Sequence, residues 1–495
     1  MQGNLNKKLG QATKWSSITE IATKLITPIT NAILARLLVP EAFGVVATLT
    51  MVVSFAEIFT DAGFQKYLVQ YEFSDQQDLN RSSNVAFWTN LGLSLIIWAI
   101  IAAFAEPIAT MVGSPGCGPA VIAMCLQIPL LAFSSIQMAR FRRDFDFKTL
   151  FVARIVTAAV PIIVTVPLAI IFRSYWALVV GTLARDLLNA LILTAKSKWK
   201  PTFEYDIRKL KEMISFSLWT VVENISIWLT SYIGTFIIGS VLSDHYLGLY
   251  KTTISTIGAY MGLITSATTP VLFSGLSRCQ NDESAFQDLF FRFQRSVALL
   301  VFPLGFGLFI YRELATLILL GDQWLETADF MGMWSLTSAI TIIFSHYNSE
   351  IFRSKGKPKL SVLVQILHLV ALIPVLLWSS RQSYAILALS RSIIRLELIL
   401  VSCVILQAVV GIKFTSILKN VWPSLVASGI MTAIGMFLRT LIPGIIWEFA
   451  TILMCVVIYG AAMLLIPAGR RQLAEIPILR KILHLQEAVN ATQKD

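Results

Sequence analysis

Ionisable and amide side chains recur at helical spacing inside stretches that are otherwise apolar. Glu20, Lys24, Thr27 and Asn31 fall at i, i+4, i+7 and i+11, one face of a helix. Thr50, Ser54, Glu57 and Asp61 repeat that spacing in the next apolar run. Further on, Arg154 stands with Thr157, Arg185 with Asn189 and Lys196, and Thr220 and Asn224 with Ser231. Ser338, Thr341, Ser345 and Asn348 form another stripe, and Arg391, Arg395 and Ser402 the last. A charged side chain at the centre of a bilayer costs about 3 kcal/mol or more, so such residues face water or one another. Their chemistry is binding rather than bond-making. Cations receive anions, amides receive hydroxyls, and Glu20, Glu57 or Asp61 could carry a coupling ion. Pairing is the structural alternative, Glu20 with Lys24 or Arg395 with Glu397 or Glu350. Stripes in both halves of the chain favour a shared water-filled cavity.

Motifs for chemistry proper are missing. No GxxxxGK[ST] is present, so this chain does not hydrolyse ATP, and no HExxH is present. His346 and His368 are isolated, and the five cysteines stand singly, so neither a metal site nor a disulfide framework is expected. Asp144-Phe145-Asp146 has the DxD form of metal-using glycosyltransferases, but Arg142, Arg143 and Lys148 surround it in a short loop. It reads as a solvated charge cluster. The chain is expected to be no enzyme and to need no cofactor.

Composition sets the elements that must position these stripes. Of 495 residues, 56% are hydrophobic and only 14% charged, with a mean hydropathy of +0.71. That excludes a soluble enzyme, a disordered chain and a secreted disulfide scaffold. The expected fold is an all-α polytopic membrane protein of about fourteen transmembrane helices, near 15–38, 43–65, 83–105, 119–141, 150–172, 174–195, 214–240, 246–274, 294–319, 328–352, 360–379, 384–410, 420–440 and 445–467. Alternate connections then hold 29 of the 40 basic residues on one side and four on the other. The basic side is cytoplasmic, which places both termini there. The net charge of +11 is thus an orientation signal and an attractor for membrane lipids, and needs no nucleic acid. Asn281 to Arg295 reads as an amphipathic helix lying on the cytoplasmic interface.

The two halves carry a faint repeat. Leu38-Val39-Pro40-Glu41-Ala42-Phe43-Gly44-Val45 can be laid on Leu242-Ser243-Asp244-His245-Tyr246-Leu247-Gly248-Leu249, each a short turn between the first two helices of a six-helix half. Both turns fall on one side, so the repeat is parallel, a pseudo-two-fold about the membrane normal. The expected division is a lobe of helices 1–6 over 1–200, a lobe of helices 7–12 over 201–412, two C-terminal helices over 413–467 and a cytoplasmic tail over 468–495.

Ala35-Arg36-Leu37-Leu38-Val39-Pro40-Glu41-Ala42-Phe43-Gly44, then Asp61-Ala62-Gly63-Phe64, then Leu68-Val69-Gln70, resembles the N-terminal signature of Wzx-type polysaccharide flippases. The likeness is to the colanic-acid and exopolysaccharide exporter branch, the WzxC-like group, which Ala86-Phe87-Trp88-Thr89-Asn90 also matches. Phe64-Gln65-Lys66 departs from the small apolar residues usual after D-x-G. The resemblance implies the multidrug/oligosaccharidyl-lipid/polysaccharide superfamily and a multi-pass protein of the bacterial inner membrane. It implies movement of a polyprenyl-diphosphate-linked oligosaccharide from the cytoplasmic to the outer leaflet by alternating access, beside a polysaccharide polymerase and a chain-length regulator. Such a headgroup cannot cross hydrocarbon unaided. Position in the spans selects Lys24, Arg36, Arg154, Arg185, Arg391 and Arg395 as candidate headgroup cations, and Asn31, Asn189 and Asn224 for sugar hydroxyls. The alternative is an ion-coupled drug antiporter of the same superfamily, which would want an acidic, apolar cavity, whereas buried bases here equal buried acids. A membrane glycosyltransferase would want a large outer loop, and a scaffold leaves the buried charges unexplained.

Overall fold

The computed structural model describes residues 26–474, apart from 62, 63, 72, 145 and 358. Glu20, Lys24 and most of the expected tail lie outside the described residues, as do the side chains of Asp61 and Asn224. The main helices in chain order are α1 (26–37), α2 (Pro40–Asp61), α3 (Gln76–Ala103), α4 (Gly118–Arg143), α5 (Phe147–Phe172), α6 (Trp176–Lys196) and α7 (Ile207–Val241). They continue as α8 (Asp244–Arg278), α9 (Glu283–Ile310), α10 (Asp322–Ser354), α11 (Lys359–Ser379), α12 (Tyr384–Val410), α13 (Phe414–Leu441) and α14 (Ile445–Leu465). Twelve of them are long and apolar enough to cross a membrane. The other two are α1, described only from residue 26, and α7; they coincide with the remaining expected spans without adding to that count. The polytopic all-helical fold is therefore shown, and no strand occurs among the described residues.

Local chemistry sets the helix ends. Asp75, Asp146, Asp206, Asp282 and Ser383 each cap a helix by accepting from a backbone N–H of its first turn. Asp146, half of the DxD-like pair, is thus a structural cap: it accepts from Thr149 N at 3.1 Å and from Thr149 Oγ1 at 2.7 Å. Pro161 opens a π-turn over Pro161–Thr165 within α5, where the ring removes a backbone donor. A second π-turn, Ile342–His346, interrupts α10.

One expectation is overturned at α9. Asn281 to Arg295 forms no separate interfacial helix, because Glu283–Ile310 is continuous. Phe286, Phe290 and Gln294 on its first turns are fully buried, so that face packs on protein rather than lying along a membrane surface. The same helix stops at Tyr311, and Arg312–Leu319 follows as a short separate helix.

The chain divides into two compact units, Met1–Thr252 and Thr253–Asp495. In the first, Val45, Leu49, Val53 and Ala56 of α2 pack on Ala120, Val121, Met124 and Ile128 of α4. The Ala86–Asn90 stretch has definite work in this unit. Phe87 is core; Trp88 Nε1 donates to the Thr202 carbonyl at 2.8 Å; Thr89 meets the Tyr205 hydroxyl at 2.9 Å; Asn90 donates to Ser135 at 2.8 Å. With Asn84 donating to Thr202 at 2.6 Å, Trp88 and Thr89 moor segment 197–206 along α3, while Asn90 ties α3 to α4.

In the second unit α9 packs on α10 and α13, and α13 on α14. Gly305 permits the α9–α10 approach, since a Cβ there would overlap the Ala339 methyl. A buried hydroxyl chain, Thr253–Thr327–Tyr384 at 2.7 and 2.8 Å, ties α8, α10 and α12. Leu453, Val456 and Val457 of α14 are exposed, the apolar face a lipid-contacting helix presents.

Candidate functional site

The second unit brings together the residues that the sequence singled out on α10 and α12. Helix α12 is interrupted at Ile394, with Arg391 in the last turn before the break and Arg395 at the first position after it. Both guanidinium groups sit on one indole. Arg395 Cζ lies 4.1 Å, and Arg391 Cζ 4.9 Å, from the centroid of the Trp334 ring on α10. Trp334 is buried at 6% exposure, so the ring is fixed and its negative face attracts the cations. Arg395 also donates to Ser338 Oγ at 2.6 Å, one turn along α10 from the indole. The two arginines are half-buried.

The two acids expected as their partners also bond to other bases. Glu397 accepts from His368 Nδ1 of α11 at 2.8 Å, and Glu350 pairs with Arg353 at 2.9 Å. The rest of the α10 stripe is interhelical glue. Asn348 Nδ2 donates to Ser402 Oγ of α12 at 2.9 Å, and Cys403 Sγ to the Phe344 carbonyl at 3.3 Å. Ser345 is buried as well, and Thr341 Oγ1 donates to the Thr337 carbonyl of its own helix at 2.7 Å.

The first unit treats its candidates differently. Arg185 is held by its sequence neighbour: its Nε donates to Asp186 Oδ1 at 3.0 Å, with side chains 44% and 6% exposed. Asp186 also accepts from Gln127 Nε2 of α4 at 2.5 Å, a polar centre between α4 and α6. Arg36 and Arg154 are exposed, while Asn31, Asn189 and Glu57 are half-buried. Trp228 Nε1 of α7 donates to Ser54 Oγ at 3.0 Å, so part of the α2 stripe is spent on packing.

Sequence reasoning missed Trp334, Gln127 and Asp186. Trp334 gives no signal, because an aromatic residue in an apolar span reads as core. Asp186 did have one, a carboxylate in hydrocarbon beside a chosen arginine.

The chain is 28% identical over 337 residues to the succinoglycan biosynthesis transport protein ExoT of Rhizobium meliloti (strain 1021), a match spanning 66% of this chain and 65% of that protein. It is 18% identical over 451 residues to the lipopolysaccharide biosynthesis protein WzxC of Escherichia coli (strain K12), covering 88% and 89% of the two chains. Among solved structures, the lipid II flippase MurJ in an inward closed conformation superposes with a TM-score of 0.72 at 13% identity, over 91% of this chain and 98% of that one. At that identity the likeness is one of fold. The family model described as "Polysaccharide biosynthesis protein" matches residues 33–329, more than half of the sequence, and the chain therefore belongs to that family.

Proposed function

We propose that this protein is a flippase that carries a polyprenyl-diphosphate-linked oligosaccharide from the cytoplasmic to the outer leaflet of a bacterial inner membrane by alternating access. The single observation that carries the reading is the arginine pair on Trp334, within this family and fold. A diphosphate offers oxygens at two adjacent centres, and guanidinium receives phosphate oxygens bidentately, so Arg391 and Arg395 are the headgroup site. The relatives' names speak of succinoglycan transport, lipopolysaccharide biosynthesis and lipid II flipping, and a lipid-linked glycan is a cargo that suits all three. Arg36, Arg154 and Arg185, with Lys24, are the further cations assigned to the headgroup in the first half of the chain, and Asn31, Asn189 and Asn224 the amides assigned to sugar hydroxyls. A polysaccharide polymerase and a chain-length regulator are its working partners. Purified protein in proteoliposomes tests this directly: a fluorescent lipid-diphosphate oligosaccharide should change leaflet with the protein and stay put without it. Equal rates in empty liposomes would end the proposal. An antiporter for organic cations wants acids open to its substrate, whereas Glu397, Glu350 and Asp186 are each engaged by a base.

Orientation follows the basic residues. Reporters fused after Asp495 and within 196–211 should read cytoplasmic, and one within 322–329 should read outside. The reverse pattern would invert the proposed direction of transport.

Coupling is assigned to the acids of the first two helices, Glu20, Glu57 and Asp61, with Glu57 first. An ion driven by the membrane potential gains about 2.3 kcal/mol per charge for each 100 mV. Glu57→Gln should therefore abolish the response of flipping to an imposed proton or sodium gradient while gradient-free exchange continues. An unchanged gradient response removes Glu57 from the role.

A further inference from the structure

Within the first unit, the turn that opens α2 meets the turn that opens α8, and the contact has a symmetry that neither turn shows alone. A Cβ on Gly44 would overlap the carbonyl of Asp244, and a Cβ on Gly248 would overlap the carbonyl of Pro40. Laying Leu38–Val45 on Leu242–Leu249 equates Pro40 with Asp244 and Gly44 with Gly248. Each contact is thus the image of the other. The third contact joins equivalent positions: Glu41 and His245 correspond, and His245 Nδ1 lies 2.7 Å from Glu41 Oε1. Reciprocal contacts, with equivalent residues meeting on the axis, are what a two-fold interface requires. The turns differ in nearly every side chain, yet both keep glycine where backbone meets backbone. A third segment braces them. Ser114 Oγ donates to Asp244 Oδ1 at 2.6 Å, and Gly113, at φ +94°, sits where a Cβ would overlap the Gly239 carbonyl of α7.

We infer that these two turns are a pseudo-two-fold latch that closes the translocation path on the side opposite the basic connections, and that it must part for the cargo to leave. The inference builds on the transport reading but adds the gate, its residues and its symmetry. Its composition suits a contact made and broken in each cycle. The Glu41–His245 pair is partly exposed, at 51% and 29%, so solvent screens it and it resists separation little. The closeness comes from glycine-to-carbonyl packing, as in small-residue helix crossings, and such packing comes apart without leaving a charge stranded in hydrocarbon. Leu247, Leu249 and Thr48 just beneath are fully buried, so the latch is also a seal.

Thiol accessibility tests this without any cargo, so its failure is separable from failure of the flippase reading. Thr48→Cys is introduced one turn below Gly44, and an impermeant maleimide is applied outside intact cells, with labelling read at residue 48 by peptide mass spectrometry. The latch predicts slow labelling, raised about tenfold or more by adding Gly248→Ala, which shifts the population to the open form. Glu41→Gln, which leaves the backbone contact intact, should raise it less and serves if the glycine variant fails to accumulate. In a second experiment Glu41→Cys with His245→Cys is bridged by a short bis-methanethiosulfonate; transport should stop and return on reduction. Equal labelling with and without the latch variants, labelling only from the cytoplasmic side, or undiminished transport by the bridged protein would each overturn the latch.

Discussion

Arg391→Ala or Arg395→Ala is expected to slow flipping about 10- to 100-fold with normal amounts of protein in the membrane, and the double variant to reach background. Hydrogen bonds to charged groups contribute about 1.5–3 kcal/mol each, and every 1.4 kcal/mol is tenfold, which sets that range for one lost guanidinium. Charge alone does not account for the site. Both arginines share the Trp334 ring, and Arg395 is further fixed by Ser338, so the fork is pre-aligned before cargo arrives. Lysine at either position keeps the charge and loses the planar fork, so it should restore only part of the rate. Trp334→Ala should weaken half-saturation by cargo more than the maximal rate, because the guanidinium groups remain but are no longer held. The measurement is flipping in proteoliposomes beside quantified membrane abundance. If the arginines instead served a bridge to an acid, abundance would fall and Glu397→Gln would restore it. That outcome, or normal flipping by the double alanine variant, would remove the diphosphate site.

The sequence read best where one physical rule acts alone. Span positions are legible because crossing hydrocarbon needs about twenty apolar residues whatever the helix packs against; the expected spans at 384–410 and 360–379 agree with Tyr384–Val410 and Lys359–Ser379 to within a residue. Reading failed where two rules compete. Asn281 to Arg295 has the charge of a surface helix, yet Phe286 and Phe290 find protein to bury against and the helix runs straight into the span. Site residues were half legible. Spacing places Arg391 and Arg395 together on one helix, but their common platform lies some sixty residues earlier in the chain, beyond any local pattern. Spacing shows that the polar residues of α10 share a face and is silent on what that face meets. It meets α12, through Ser338–Arg395 and Asn348–Ser402.

Asp186→Ala is expected to lower the thermal midpoint of the detergent-solubilised protein by about 5 °C and to reduce membrane abundance with it, a loss of about 2 kcal/mol at the scale for domains of this size. The Asp186 carboxylate is almost wholly buried and accepts from both Gln127 and Arg185, so its removal strands two donors at the α4–α6 contact. Breaking a fully buried pair costs about 3–5 kcal/mol, but Arg185 is 44% exposed and recovers part of its solvation, which brings the figure down. Arg185→Ala leaves the carboxylate its Gln127 bond and should cost less. Because a buried pair is repaid only by its own geometry, replacing it with apolar residues of similar volume and removing the Gln127 donor with it, Arg185→Met with Asp186→Leu and Gln127→Leu, should bring the midpoint back, and Arg185→Met with Asp186→Leu alone should recover part of it. Flipping by the triple variant then separates two roles that stability alone confuses. If Asp186 positions Arg185 to meet cargo, the protein is stable but flips about tenfold more slowly, in line with one lost charge-assisted contact. Full-rate flipping by the stable triple variant would make the pair a packing device between α4 and α6, and would leave the arginines on Trp334 as the principal headgroup site.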